Sequence, residues 1–287
     1  MALGSVLAAL VALPALVFGT SAASRSGAAV PSPVPAGTPL STSTSSVTVS
    51  LDGRSFSARV VQPTGTAPGA YPVVAFGHGF LQSSTRYVGT LSSIASRGYI
   101  VIAPDSETGF APNHGRLADD LWRSLRWAGD RGRFPNADPD HLAVMGHSMG
   151  GGAALVAADR YDGPGQIDTV ATLAAAETNP SARAASAGIA APALYVVGSQ
   201  DTIVRPATTQ SMYDRKAAPA TFATIIGGYH CGFLDSSPLF GLGCDSGSRS
   251  RSEQLALTRT VLGDWLDWQF RSTSPSTLPT WVTIAAK

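Results

Sequence analysis

Lysine is nearly missing from this sequence: Lys216 and Lys287 are the only two, so arginine carries almost all of the positive charge. Charged residues of every kind make up 14%, against roughly 25% in an average globular protein. The 20 Lys and Arg offset 19 Asp and Glu to a formal net charge of +1. The arginines are scattered, and a nucleic-acid partner would need a basic patch. Cysteine is scarce as well, with 2 in 287 residues, which excludes a small disulfide scaffold. Past the N-terminus no uncharged segment is apolar enough over the roughly 20 residues that a bilayer span requires. What is plentiful is apolar content, at 44%. That is enough for a full core and too much for a disordered chain. The length allows one large domain or two small ones.

Residues 3–18 are apolar and uncharged, but too short for a membrane helix. Pro14 interrupts them, and Thr20, Ser21, Ala22 and Ala23 follow. This is the layout of an export signal over 1–23, cut after Ala22 or Ala23, with an uncleaved anchor as the alternative. Residues 24–46 are rich in Ser, Thr, Pro and Ala and read as a linker. A folded domain is expected over 47–270, followed by a tail over 271–287. The protein is thus expected to be secreted, and an oxidising compartment favours pairing Cys231 with Cys244 over two buried thiols. Closing so short a loop is worth about 3 kcal/mol in the chain-entropy model. Two Cys and an adjacent His do not complete a tetrahedral metal set, so no metal or cofactor is expected.

The domain reads as α/β. Two β-rich pieces, Val47–Val49 and Phe56–Val61, flank a turn at Asp52-Gly53. Short, continuous apolar runs then recur at Pro72–Phe76, Tyr99–Ala103, Leu142–Met145, Thr169–Leu173, Ala193–Val197 and Thr221–Ile226. Such runs suit strands buried on both faces. Helical segments fall between them at Ser83–Arg97, Arg116–Ala128, Met149–Asp159 and Ala207–Lys216, and Ser252–Phe270 closes the series. The alternation predicts a mostly parallel sheet with helices on both faces.

The sharpest local signal is Gly146-His147-Ser148-Met149-Gly150, a G-x-S-x-G pattern between an apolar strand and an Ala-rich helix. The flanking glycines let backbones pass where a Cβ would clash. A serine hydroxyl needs a base, and there are 5 histidines: His78, His114, His141, His147 and His230. His147 lies inside the elbow, turned off the line of attack. Only His230 follows the last apolar run. Where such an elbow carries a catalytic serine, the chain order is Ser, acid, His, which selects His230. The acid is Asp201, just past the Ala193 strand, or alternatively Glu177, one strand earlier; Asp235 is too near His230 in sequence. The oxyanion hole is expected from the Met149 amide and the Phe80 amide, with Leu81 as the neighbouring register.

With these residues in place the chain resembles the α/β-hydrolase superfamily over 47–270. Within it, it looks most like secreted cutinases and poly(ethylene terephthalate) hydrolases, with dienelactone-hydrolase-like and chlorophyllase-like relatives. Phe76–Ser84, Arg97–Asp105, Val144–Gly152, Gly198–Pro206 and Gly227–His230 carry the resemblance. It implies a Ser148-Asp201-His230 triad, with Phe80 and Met149 at the oxyanion hole. Phe80, Leu81, His147, Glu177 and Ile203 are the expected substrate contacts. Only residues 174–192 separate two strands where a lid domain usually inserts, so an open site is expected, suited to bulky or polymeric esters. Tyr229, Phe233, Ile203 and Leu81 are candidates for its rim, though core packing is the commoner use of such side chains. The activity so implied is carboxylic-ester hydrolysis through an acyl-enzyme, by a monomer. Acyl transfer, a chlorophyllase-like esterase and a non-catalytic binding protein are the alternatives.

Overall fold

The computed structural model describes residues 39–64, 70–163, 165–237, 244–276, 280 and 282–287. The expected signal segment and the linker up to residue 38 lie outside the described residues.

Strands β1 (Thr42–Leu51) and β2 (Arg54–Pro63) form an antiparallel hairpin across Asp52-Gly53. Both turn residues have positive φ, 50° and 71°, the twist that Asp-Gly hairpins favour. The fold therefore starts earlier than Val47. Thr42–Ser46 read as linker because they are small and polar, yet they pair with Arg59–Pro63. An edge strand with a solvated face tolerates that composition.

Strands β3 (Tyr71–Gly77), β4 (Ile100–Pro104), β5 (Ala137–His147), β6 (Thr169–Leu173), β7 (Ala193–Gly198) and β8 (Ala220–Ile225) run parallel. A last strand, β9 (Val282–Ala286), lies antiparallel on β8. The sheet order is β1-β2-β4-β3-β5-β6-β7-β8-β9. This is the α/β-hydrolase fold. The stretch expected to be a plain tail thus contributes an edge strand: it satisfies the open hydrogen-bonding side of β8 although its side chains are mostly exposed.

Helices cover both faces. One core joins α2 (His114–Ala128), α3 (Met149–Arg160), α4 (Ala182–Gly188) and α5 (Pro206–Arg215) to the sheet, through Leu117, Leu121, Leu155, Ala185 and Met212. The other joins α1 (Val88–Ala95) and α6 (Arg251–Arg271), through Leu91, Ile94, Leu262 and Leu266. Each fully buried leucine of this kind contributes about 1.5–3 kcal/mol. Along β3 and β4 successive residues alternate between the two cores: Val73, Ala75, Ile100 and Ile102 face one, Val74, Phe76, Val101 and Ala103 the other. Hence these strands are apolar at every position. Helix starts are capped as the sequence allows. The Asn113 side chain accepts the Arg116 N–H, and Ser250 with Glu253 forms a capping box on α6. The helix expected over Ser83–Arg97 is instead a short 3₁₀ turn, Ser84–Arg86, and then α1. The Asp105 carboxylate accepts both the Ser84 N–H and its hydroxyl, holding that turn against the end of β4.

Candidate active site

Parallel strands point their C-terminal ends the same way, and crevices for ligands open there. At the end of β5 the chain reverses into α3 through Ser148, with φ 55° and ψ −121°. A positive φ at a residue with a Cβ is strained, costing of order 1–3 kcal/mol, and the surroundings hold it there. The Ser148 N–H donates to Leu173 O, and its C=O accepts from the N–H groups of Gly152 and Ala176. Close packing does the rest. A Cβ on Gly146 would come 2.2 Å from Gly150 O, and one on Gly150 would come 2.2 Å from the backbone of Gly77.

β7 ends at Gly198, and the next turn carries Asp201. Asp201 Oδ1 accepts the N–H groups of Ile203 and Val204, at 2.9 and 2.8 Å. Its Oδ2 lies 2.7 Å from His230 Nδ1, and both side chains are buried. His230 sits beyond β8, in the short turn His230–Phe233. Two of the sequence-predicted residues are thus joined directly. Ser148 lines the same cleft as His230. Among the described residues its hydroxyl makes no hydrogen bond; bonds of this kind often tighten only when substrate binds.

The cleft holds about 1130 Å³. Its lining includes Phe80, Leu81, Ile203 and Leu234 on the apolar side, and Arg86, Asp105 and Thr108 on the polar side. Phe80, Leu81 and Ile203 are 45%, 42% and 45% exposed. Glu177 does not belong to this site. It is exposed and accepts the Arg183 N–H near the start of α4; the turn after β6 carries it away from the cleft. Tyr229 and Phe233 are buried in the core beneath α1 and α6 rather than on the rim. Asp235 accepts the Gly89 N–H at the start of α1 and pairs with Arg259.

His147 lies at the floor of the cleft, 2% exposed. Its ring centroid is 4.5 Å from that of His230. Burial, and then the like charge His230 would carry, hold its pKa well below the ordinary histidine value, so it stays neutral. Its Nδ1 is 2.9 Å from the Tyr87 hydroxyl, which in turn accepts the Gly79 N–H at 2.9 Å. The phenol proton needs an acceptor and Nδ1 supplies it, which puts the imidazole proton on Nε2, a buried atom with no partner among the described residues. Burial pushes the Tyr87 phenol far above its usual pKa. Tyr87 thereby ties the Ser148 turn to the Gly79-Phe80 loop. His78 anchors the same loop with ring nitrogens 2.9 Å from Gly79 O and 2.8 Å from Ser106 O. Neither the Phe80 nor the Met149 N–H has a hydrogen-bond acceptor among the described residues. Tyr87 carried no sequence motif, and only the folded loops bring it to His147.

Cys231 and Cys244 form the disulfide expected from the sequence, with Cα atoms 5.6 Å apart. Among the described residues no group of three or more His, Cys, Asp or Glu side chains is arranged to hold a metal ion, and no helix is long and apolar enough to cross a membrane.

Residues 38–176 match the family model described as Chlorophyllase. The matched stretch holds β1 to β6, Phe80 and the Ser148 turn, and ends before Asp201 and His230. The chain is also similar to Chlorophyllase-1 of Arabidopsis thaliana, 36% identical over 98 residues, which cover 32% of this chain and 30% of that protein. The similarity thus spans less than a third of the curated relative's length. The fold is accordingly that of the α/β-hydrolases, and residues 38–176 are similar to chlorophyllases.

Proposed function

We propose that this protein is a secreted serine carboxylic-ester hydrolase that works through an acyl-enzyme. The observation that carries the reading is the Asp201–His230 pair, 2.7 Å apart, in the cleft that the strained Ser148 turn also lines. In this mechanism Ser148 Oγ attacks the ester carbonyl carbon while His230 Nε2 takes its proton. Asp201 holds the Nδ1–H and stabilises the imidazolium. The tetrahedral oxyanion accepts from the Phe80 and Met149 N–H groups. His230 then protonates the departing alcohol, leaving the acyl group esterified to Ser148. A water molecule, deprotonated by His230, releases the acid and restores the serine.

The exposed apolar rim of Phe80, Leu81 and Ile203 favours a cutinase-like esterase for short to medium acyl chains or polymeric esters. The family-model match favours a chlorophyllase-like esterase instead, with chlorophyll as the ester to try. Initial rates on p-nitrophenyl esters of increasing acyl length, on a polyester film and on chlorophyll separate the two, with Ser148→Ala as control. The cutinase-like reading expects turnover of the short esters and the film. The chlorophyllase-like reading expects turnover of chlorophyll and none of the film. Folded protein inactive on every ester overturns both.

A further inference from the structure

The loops that carry Asp201 and His230 leave the sheet from neighbouring strands. At their base the Gln200 N–H donates to Gly228 O at 2.8 Å and the Gly227 N–H to Ser199 Oγ at 2.9 Å, which leaves the segments beyond, where the acid and base sit, to be tied separately. The mechanism needs His230 placed to within a fraction of an ångström, because misplacing a catalytic group by about 1 Å can cost on the order of 10²-fold in rate. One further carboxylate spans this gap. Asp245 Oδ2 accepts the Thr202 N–H at 3.1 Å and the His230 N–H at 3.0 Å, and Oδ1 accepts the Cys231 N–H at 3.0 Å. Thr202 directly follows Asp201, so a single side chain holds both the acid's loop and the base's own backbone. Bonds from neutral N–H donors to an ionised carboxylate are about twice as strong as neutral pairs.

Asp245 is itself tied down. Its neighbour Cys244 is bonded to Cys231, the residue after His230. The following turn docks back on the same loops: the Ser248 N–H donates to Gln200 Oε1 at 2.6 Å, and the Arg249 N–H donates to Gly227 O at 3.0 Å. Gln200 precedes Asp201, and Gly227 belongs to the loop before His230. Each of these backbone contacts thus lands within three residues of Asp201 or His230.

We infer that Asp245 is a positioning residue, which sets His230 against Asp201 by bridging the backbones of their two loops while touching no substrate. The inference rests on the ester-hydrolase reading above. Asp245→Ala removes all three acceptor contacts. Asp245→Asn keeps the shape and one acceptor oxygen, so it retains the fold if the alanine variant does not. Both are assayed on a soluble p-nitrophenyl ester, alone and combined with His230→Ala, after circular dichroism shows native folding.

Asp245→Ala should lower kcat by about 10- to 100-fold with KM changed by less than about twofold, and Asp245→Asn should lower it less. In the His230→Ala background neither change should lower the residual rate further, because the group they position is gone. Wild-type kcat in both single variants overturns the inference, as does an equal fractional loss with and without His230. If His230→Ala is inactive and the Asp245 variants are not impaired, the positioning role alone fails. If His230→Ala keeps full activity, the ester-hydrolase mechanism fails and takes this inference with it.

Discussion

The two ends of the parallel strands differ in backbone strain and in how completely their polar groups are paired. At the C-terminal ends the backbone is strained at Ser148, Leu81 and Ala174, with φ of 55°, 55° and 45°. There the His147 Nε2 and Ser106 Oγ are buried without partners among the described residues. At the N-terminal ends, charge is paired with charge. Asp267 accepts from Tyr99 and Arg271 through Oδ1 and from Arg97 through Oδ2, each at 2.7 Å. The Arg271 guanidinium stacks 4.4 Å over the Tyr99 ring. Beside them Asp138 holds His141 at 2.8 Å. One end carries the proposed site and the other locks α6 to the sheet. Mutations at the two ends should therefore separate activity from stability.

The largest expected effect is at the strained end. On the proposed mechanism Ser148→Ala should lower kcat by about 10⁶-fold, the loss seen where a triad acts as a unit, while the thermal midpoint stays near that of the wild type; steady-state kinetics and calorimetry on one preparation measure both. At the paired end the pattern should invert. Asp267→Ala leaves the buried Arg271 without its carboxylate, while Arg97 keeps Asp264, and breaking such a buried pair costs about 3–5 kcal/mol. Urea unfolding should show that loss, with kcat per folded molecule unchanged. Tyr87→Phe should fall between the two. It strips the buried Gly79 N–H of its acceptor, at about 1–3 kcal/mol, and loosens the loop that presents the Phe80 amide, so kcat should fall more than KM rises.

The smallest effects are in pH dependence, and two histidines should show opposite signs. The Asp138 hydrogen bond raises the His141 pKa above 6.5, despite burial, with help from the charges of Asp138, Asp168 and Asp140. Burial works against ionisation of Asp138, yet the His141 bond and charge hold its pKa below 3.8. Their mutual stabilisation is full below the unfolded histidine value and is lost as pH rises through the raised one. At the acid end it fades as pH falls from the unfolded carboxyl value through the lowered one. His147 is depressed in the fold, so below the unfolded value of 6.5 the unfolded chain takes up a proton that the folded one refuses. Its contribution therefore costs stability as pH falls. Urea midpoints at about pH 5 and about pH 8 should show His141→Gln less stable than wild type at the lower pH only. His147→Gln should be relatively more stable at the lower pH than at the higher.

Much of this architecture is legible in the chain because sterics and burial write it there. Gly146 and Gly150 flank Ser148 since a side chain at either would strike backbone 2.2 Å away. The strands β4 and β7 and the Leu142–Met145 part of β5 read as unbroken apolar runs since both faces are covered. Other parts leave no local trace. β9 is a short, exposed edge whose pairing with β8 comes from the partner's open hydrogen bonds rather than from its own pattern. Thr42–Ser46 has linker composition, yet pairs with β2. Glu177 follows a strand, as an alternative acid should, but its turn points it to α4. Tyr87 and Asp245 act through contacts across 60 and 43 residues of sequence, and no spacing rule reaches that far. Asp245 did leave one clue, its place beside a cysteine paired with the neighbour of His230.

The most direct test is covalent labelling of the nucleophile. Purified protein is treated with a fluorophosphonate, digested, and mapped by mass spectrometry, with His230→Ala and Asp201→Ala treated in parallel. A single adduct on Ser148, formed quickly in the wild type and slowly in both variants, is the expected result. An adduct elsewhere, none on folded wild-type protein, or equal rates in all three would contradict the triad and the mechanism built on it.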